Sequence, residues 1–230
     1  MLRDGLTEAV RLLLALDAEV LEVAARSLAV SLSATAIAVA LGVGAGTALA
    51  LNRFPGKTFV VAVVNAGMGV PPVVVGLFVS MLLWRSGPLG SLELLYTPVA
   101  IMIAQAVIAT PIVTGLTLAA MQSLPPGLRL QALALGATRA QMVWLLMREA
   151  RLPLLAAVMA GFGGVISEVG ASIMVGGNIK GQTRVLTTAT VTETSRGNFE
   201  LAIALSILLL GLTLAVTYVL TRVQQRERPR

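Results

Sequence analysis

Five long apolar runs, separated by short polar breaks, organise this chain. Ser27–Leu51, Thr58–Trp84, Pro98–Met121 and Leu201–Thr221 contain no Asp, Glu, Lys or Arg, and Leu152–Met174 contains only Glu168. A helix needs about 20 apolar residues to cross a hydrocarbon core of about 30 Å, and each run meets that length. The pattern predicts an all-α membrane protein of five transmembrane helices, over about 27–51, 58–84, 98–121, 152–174 and 201–221. An odd number of spans puts the two termini on opposite sides.

The pattern breaks between the third and fourth runs, where "LQALALGATRAQMVWLLMREARLPLL" carries Arg139, Arg148, Glu149 and Arg151 around a lone Gly136. Pro125, Pro126 and Gly127 signal a turn that ends the third span. Leucines then lead to Gly136, which suits a left-handed helix cap, and Thr138 can cap a second helix. A helix–turn–helix over about 123–149 is expected. Two readings stand: an amphipathic connector that seals the bundle, and an element that docks into a groove on a partner.

Composition narrows the class. With 57% hydrophobic and 12% charged residues, the chain falls outside most soluble classes. Histidine and cysteine are absent, so thiolate or imidazole metal sites, disulfides and His- or Cys-based catalysis are excluded. The basic residues lie between apolar runs instead of clustering with aromatics on one face, which argues against nucleic acid.

Charge also sets orientation. Assigning alternate loops to two sides gives one side 10 Lys and Arg with 2 acidic residues, and the other 7 with 8. The ten-cation side is expected to be cytoplasmic, with the amino terminus outside and a basic tail, 223–230, inside. Residues 1–26 have an apolar core too short for a signal peptide, followed directly by Asp17, Glu19 and Glu22. Leu6, Val10, Leu13 and Leu14 share a helical face, which predicts an external interfacial helix.

The loop resembles that of binding-protein-dependent ABC transporter permeases, in which a Glu-Ala-Ala pattern precedes a glycine and, further on, a Leu-Pro pair. Ala132 and Gly136 fit. Leu130 stands at the glutamate position, Gln131 replaces the first alanine, and Leu152–Pro153 falls four residues late. Ser167–Leu210, "PPVVVGL" from Pro71 and "IATPIVTGLTLAA" from Ile108 resemble the tungstate-uptake branch of the molybdate, tungstate and sulfate permeases. The resemblance implies a permease homodimer, two cytoplasmic ABC ATPase subunits and an external oxyanion-binding protein that largely sets selectivity. It also implies that the loop couples to the ATPases, through Ala132, Gly136, Ala137, Thr138 and Arg139. The chain has no phosphate-binding loop motif of its own, so ATP and magnesium are expected in the partner, with no cofactor and no enzymatic activity here.

An oxyanion pathway must bind weakly enough to release, and none of the five spans contains Lys or Arg. Asn65, Gln105, Thr110, Thr114, Ser167 and Ser172 are candidates for transient hydrogen bonds to the anion, or for helix packing and back-bonding. Pro71, Pro72 and Pro111 interrupt apparent spans and are candidate pathway kinks. Glu168 is the lone ionisable group within a span, expected to be hydrogen-bonded, paired or protonated near an outer gate and to orient the Gly170–Gly177 backbone. Gly42 and Gly46 make a small-residue pair suited to packing. Lys180, Arg184 and Arg196 attract oxyanions, contact the binding protein or are simply solvated. The nearest rival is a molybdate or sulfate permease of the same family; the competing class is a self-contained channel or secondary carrier, in which the loop is a connector.

Overall fold

The computed structural model describes residues 6, 7, 10, 11 and 18–226. Among them the regular structure is entirely helical. The helices are α1 (Ala18–Leu51), α2 (Lys57–Gly67), α3 (Pro72–Leu83), α4 (Pro98–Gln122), α5 (Pro126–Ala134), α6 (Arg139–Glu149), α7 (Arg151–Ile166), α8 (Gly170–Gly176), α9 (Leu186–Ser195) and α10 (Phe199–Arg226). A short 3-10 turn, Gly90–Leu92, lies between α3 and α4.

The bundle is built around α1 against α4. Gly42 and Gly46 allow it: a Cβ on Gly42 would stand 2.8 Å from Val113 Cβ, and one on Gly46 would stand 2.6 Å from the Thr114 carbonyl. Small residues let the helix backbones approach and gain dispersion contact where no hydrophobic drive exists between helices in lipid. Ala34, Ala38, Ala106, Ala109, Val113 and Val165 close this core from α1, α4 and α7. A second cluster joins Val30 and Ile101 to Val79 of α3 and Ala171 and Val175 of α8.

Three helices, α1, α4 and α10, are long and apolar enough to cross a membrane alone. Two bent pairs bring the number to five when each pair is taken as one span: α2 with α3, bent by 102°, and α6 with α7, bent by 72°.

Several predicted boundaries shift. The run over 58–84 is not one helix, because the sequence Met68-Gly69-Val70-Pro71-Pro72 stops α2 and starts α3, with Pro71 as cap and Pro72 in the first turn. Proline suits that first turn, where no intrahelical donor is needed. The run over 152–174 is also two helices, broken at Ser167–Val169. The division expected at residue 26 falls inside α1, which starts at Ala18 with Glu19 in its first turn and Val20 and Val23 buried. Acidic residues near a helix start are favourable against the macrodipole. Of the amino-terminal amphipathic helix, Leu6 and Val10 are helical and exposed, whereas Leu13 and Leu14 lie outside the described residues. At the other end α10 continues to Arg226, past the expected start of the tail at 223, and 227–230 lie outside the described residues.

Candidate functional site

Two features concentrate the candidate residues: an arm built from α5 and α6, and a buried joint between α7 and α8. In the arm, Gly136 has φ +82, a left-handed conformation that side chains disfavour. Its N–H donates to the Leu133 carbonyl at 3.0 Å, and the Ala137 N–H to the Ala132 carbonyl at 3.1 Å, closing the end of α5. Thr138 then opens α6. Its hydroxyl accepts from Gln141 N at 3.3 Å while its own N–H donates to Gln141 Oε1 at 2.8 Å, a reciprocal capping box.

The arm is anchored on one face and open on the other. Ala132, Met142 and Leu146 are buried against Ala120 and Met121 at the end of α4. Leu130, Leu133 and Leu135 are exposed, Leu135 to 88%. Arg139, at the first position of α6, lines the cleft beside the arm. Ala132 therefore holds the arm to the bundle, while Gly136 sets its turn and Thr138 starts its second helix.

The joint is organised by Glu168, which is only 5% exposed. Its carboxylate accepts from Ala171 N at 2.8 Å, from Ser172 N at 2.9 Å and from Ser172 Oγ at 2.8 Å. Two backbone donors at the start of α8 are thereby satisfied by one side chain. Gln105 Nε2 of α4 donates to Ser172 Oγ at 3.2 Å, and Thr187 Oγ1 of α9 donates to the Glu168 carbonyl at 3.0 Å. Three helices, α4, α8 and α9, thus meet the joint on one polar chain inside an apolar bundle.

The two helix breaks lie side by side. A Cβ on Gly170 would stand 2.7 Å from Val73 Cγ2, and one on Gly76 would stand 2.7 Å from Ala171 Cα, so α3 and α8 touch near their starts. On α4, Pro111 packs against Gly67 at the end of α2, with a built Cβ on that glycine 2.9 Å from the ring. Pro111 itself remains inside a continuous α4. The three prolines therefore differ: Pro71 and Pro72 make a break, and Pro111 receives it.

The remaining candidates divide by partner. Thr110, Thr114 and Ser167 donate to the carbonyls four residues back, Ala106 at 2.6 Å, Thr110 at 2.7 Å and Gly163 at 2.8 Å. Thr110, Pro111 and Thr114 also line an apolar cleft of about 620 Å³ between α1, α2 and α4. Asn65 is exposed on α2. Gln105 and Ser172 are buried with Glu168 and reach no surface in this conformation.

Among the loop cations, Lys180 pairs with Glu19 at 2.7 Å and Arg196 with the buried Glu193 at 3.0 Å. Arg184 lines the same cleft as both pairs. Arg26 ties α1 to this region, donating to the carbonyls of Gly181 at 3.0 Å and Arg184 at 3.1 Å as well as to Glu22. Ser27, Thr183 and Thr187 were not singled out in the sequence, yet all are buried and bonded here: Ser27 Oγ accepts from Leu186 N at 2.7 Å, and Thr183 Oγ1 from Ile179 N at 2.9 Å. Their signal is weak, because a hydroxyl in an apolar helix reads the same whether it bonds its own turn or another segment.

A bundle of apolar helices with adjoining breaks, an internal carboxylate and a projecting helix–turn–helix arm defines a multi-span helical membrane protein. The chain belongs to the family described as binding-protein-dependent transport system inner membrane component, which matches residues 38–229, and is an ABC transporter permease subunit. It is 43% identical to a probable anion ABC transporter permease protein of Haloferax volcanii, over 90% of this chain and 91% of that protein. It is 38% identical to the tungstate uptake system permease protein TupB of Peptoclostridium acidaminophilum, over 96% of this chain and 97% of that one. In fold it resembles a chain from the inward-facing MetNI methionine ABC transporter, with TM-score 0.76 at 20% identity, covering 93% of this chain and 98% of that chain.

Proposed function

We propose that the chain is the transmembrane subunit of an ATP-driven tungstate importer, working as a homodimer with two cytoplasmic ABC ATPases and an external oxyanion-binding protein. The observation that carries the coupling is the arm: a turn fixed by Gly136 presents Leu130, Leu133 and Leu135 outward while Ala132, Met142 and Leu146 hold it to α4. An exposed apolar helix end of this kind fits a groove on a partner better than it fits water. Family membership weighs against the self-contained channel or carrier.

Tungstate is the substrate favoured by the relatives. Two permeases named for tungstate uptake are 38% and 33% identical over nearly the whole chain, whereas those named for sulfate and molybdenum are 26–28% identical over less of it. The subunit crosses a prokaryotic cell membrane five times, with its amino terminus outside and its carboxyl terminus in the cytoplasm. ATP and magnesium are held by the ATPases, so this chain catalyses no reaction.

In this reading ATPase closure moves the arm, and the arm moves α4 through the cluster at Ala120 and Met121. Alternating access follows as a shift between two arrangements of the helices around the paired breaks. Glu168 keeps α8 in position without offering its carboxyl to the dianion, because Ala171 N, Ser172 N and Ser172 Oγ already donate to it. Purified permease should bind the cognate ATPase, and Gly136→Val should lose that binding while still inserting into membrane. Normal coupled transport in that variant would contradict the assignment.

A further inference from the structure

A cleft of about 1290 Å³ opens beside the arm, between α1, α5, α6 and α7, with Val223 of α10 at its edge. Four arginines line it, Arg129, Arg139, Arg148 and Arg151. The rest of its wall is largely apolar. It sits where α1 ends, α7 begins and α10 nears its end, so it lies at the level of a membrane surface whichever way the chain is oriented.

Its depth discriminates between ligands. The α1 wall runs from Asn52 to Val39, about 20 Å at 1.5 Å per residue, against about 15 Å for one leaflet of hydrocarbon plus a headgroup. A free phosphate needs only the arginines, whereas this cleft continues along apolar helix faces. Interfacial anchors stand at the same level. Trp144 is 62% exposed with the Arg148 guanidinium 5.3 Å from its ring centre, and Tyr218 is 53% exposed with Arg222 at 5.1 Å. Aromatic and basic side chains favour the headgroup region of a bilayer.

We infer that this cleft is a binding site for an anionic phospholipid, its headgroup held by Arg148 and Arg151 and an acyl chain laid along α1. Basic pockets between membrane helices are suited to such headgroups. The assignment to the cytoplasmic leaflet rests on the orientation proposed above, but the binding itself does not.

Native mass spectrometry of the full-length permease, titrated with phosphatidylglycerol or phosphatidylcholine, tests it. Phosphatidylglycerol should bind preferentially, and the double variant Arg148→Gln with Arg151→Gln should bind it roughly thirtyfold more weakly, while Arg85→Gln, away from the cleft, should bind normally. Should the double variant fail to insert, wild-type protein decides the matter: a diazirine-bearing phosphatidylglycerol should crosslink within 39–52 and 151–158. Three results would overturn the inference: equal binding of both lipids, binding of glycerol phosphate as tight as that of the whole lipid, or a Val43→Cys protein that disulfide-links two copies in native membranes and excludes the lipid. The natural chain has no cysteine, so that link would report this position alone.

Discussion

Glu168 illustrates how a carboxyl group sits inside an apolar bundle when protein donors surround it. Its carboxylate is held by Ala171 N, Ser172 N and Ser172 Oγ, and its burial makes each of those bonds expensive to lose. Glu168→Ala should destabilise the chain by about 2–5 kcal/mol, since two buried N–H groups lose their acceptor. A melting curve in detergent checks this. Glu168→Gln keeps one acceptor oxygen but turns an amide N–H toward backbone donors. It should assemble normally and transport about tenfold more slowly, the loss of roughly one hydrogen bond. Unchanged transport by Glu168→Gln would remove the residue from the mechanism. Gly136 is a simpler case: any side chain at φ +82 costs about 1–2 kcal/mol locally, so Gly136→Val should redirect the arm without unfolding the bundle.

At the scale of elements, the α1–α4 contact should be the least tolerant of added volume. Gly46→Leu places a side chain where a Cβ already meets the Thr114 carbonyl at 2.6 Å, against rigid backbone. It should lower the melting temperature more than Gly44→Leu, because nothing lies within 4 Å of a Cβ on Gly44. Equal effects on the two would mean that α1 and α4 do not pack as described.

The elements also differ in how far the sequence foretold them. Run length and absence of charge gave α4 and most of α1 and α10, because a span is a long, one-dimensional signal. The turn at Gly136 and the cap at Thr138 were legible because their residue types are demanded by backbone geometry. The break at 68–71 was only half legible: Pro71 and Pro72 announced a disturbance, but hydropathy continued through it unchanged. The break at Ser167–Val169 carries no proline or loop signature, and it is stabilised by Glu168, Gln105 and Thr187 from three separate places in the chain. The Glu168 bonds are local, three and four residues along, and were half legible, whereas the parts played by Gln105 and Thr187 depend on tertiary contact that local pattern could not reveal. The same holds for Ser27, whose bond to Leu186 spans 159 residues.

For the whole molecule, a bundle with two adjoining breaks carries an arm whose Leu130, Leu133 and Leu135 are exposed. The exposed apolar residues of α3, among them Val73, Leu77, Phe78 and Met81, need lipid or a second copy to cover them. The homodimer proposed above would do so, and crosslinking between single cysteines at Phe78 should trap it in native membranes. The most direct test of ATP-driven tungstate import is hydrolysis by proteoliposomes that hold the permease and its cognate ATPase and are supplied with loaded binding protein. Tungstate-loaded binding protein should stimulate hydrolysis and drive uptake, molybdate and sulfate should do so less, and Gly136→Val should uncouple both. Uptake that proceeds without the ATPase, or hydrolysis indifferent to the loaded binding protein, would contradict the account.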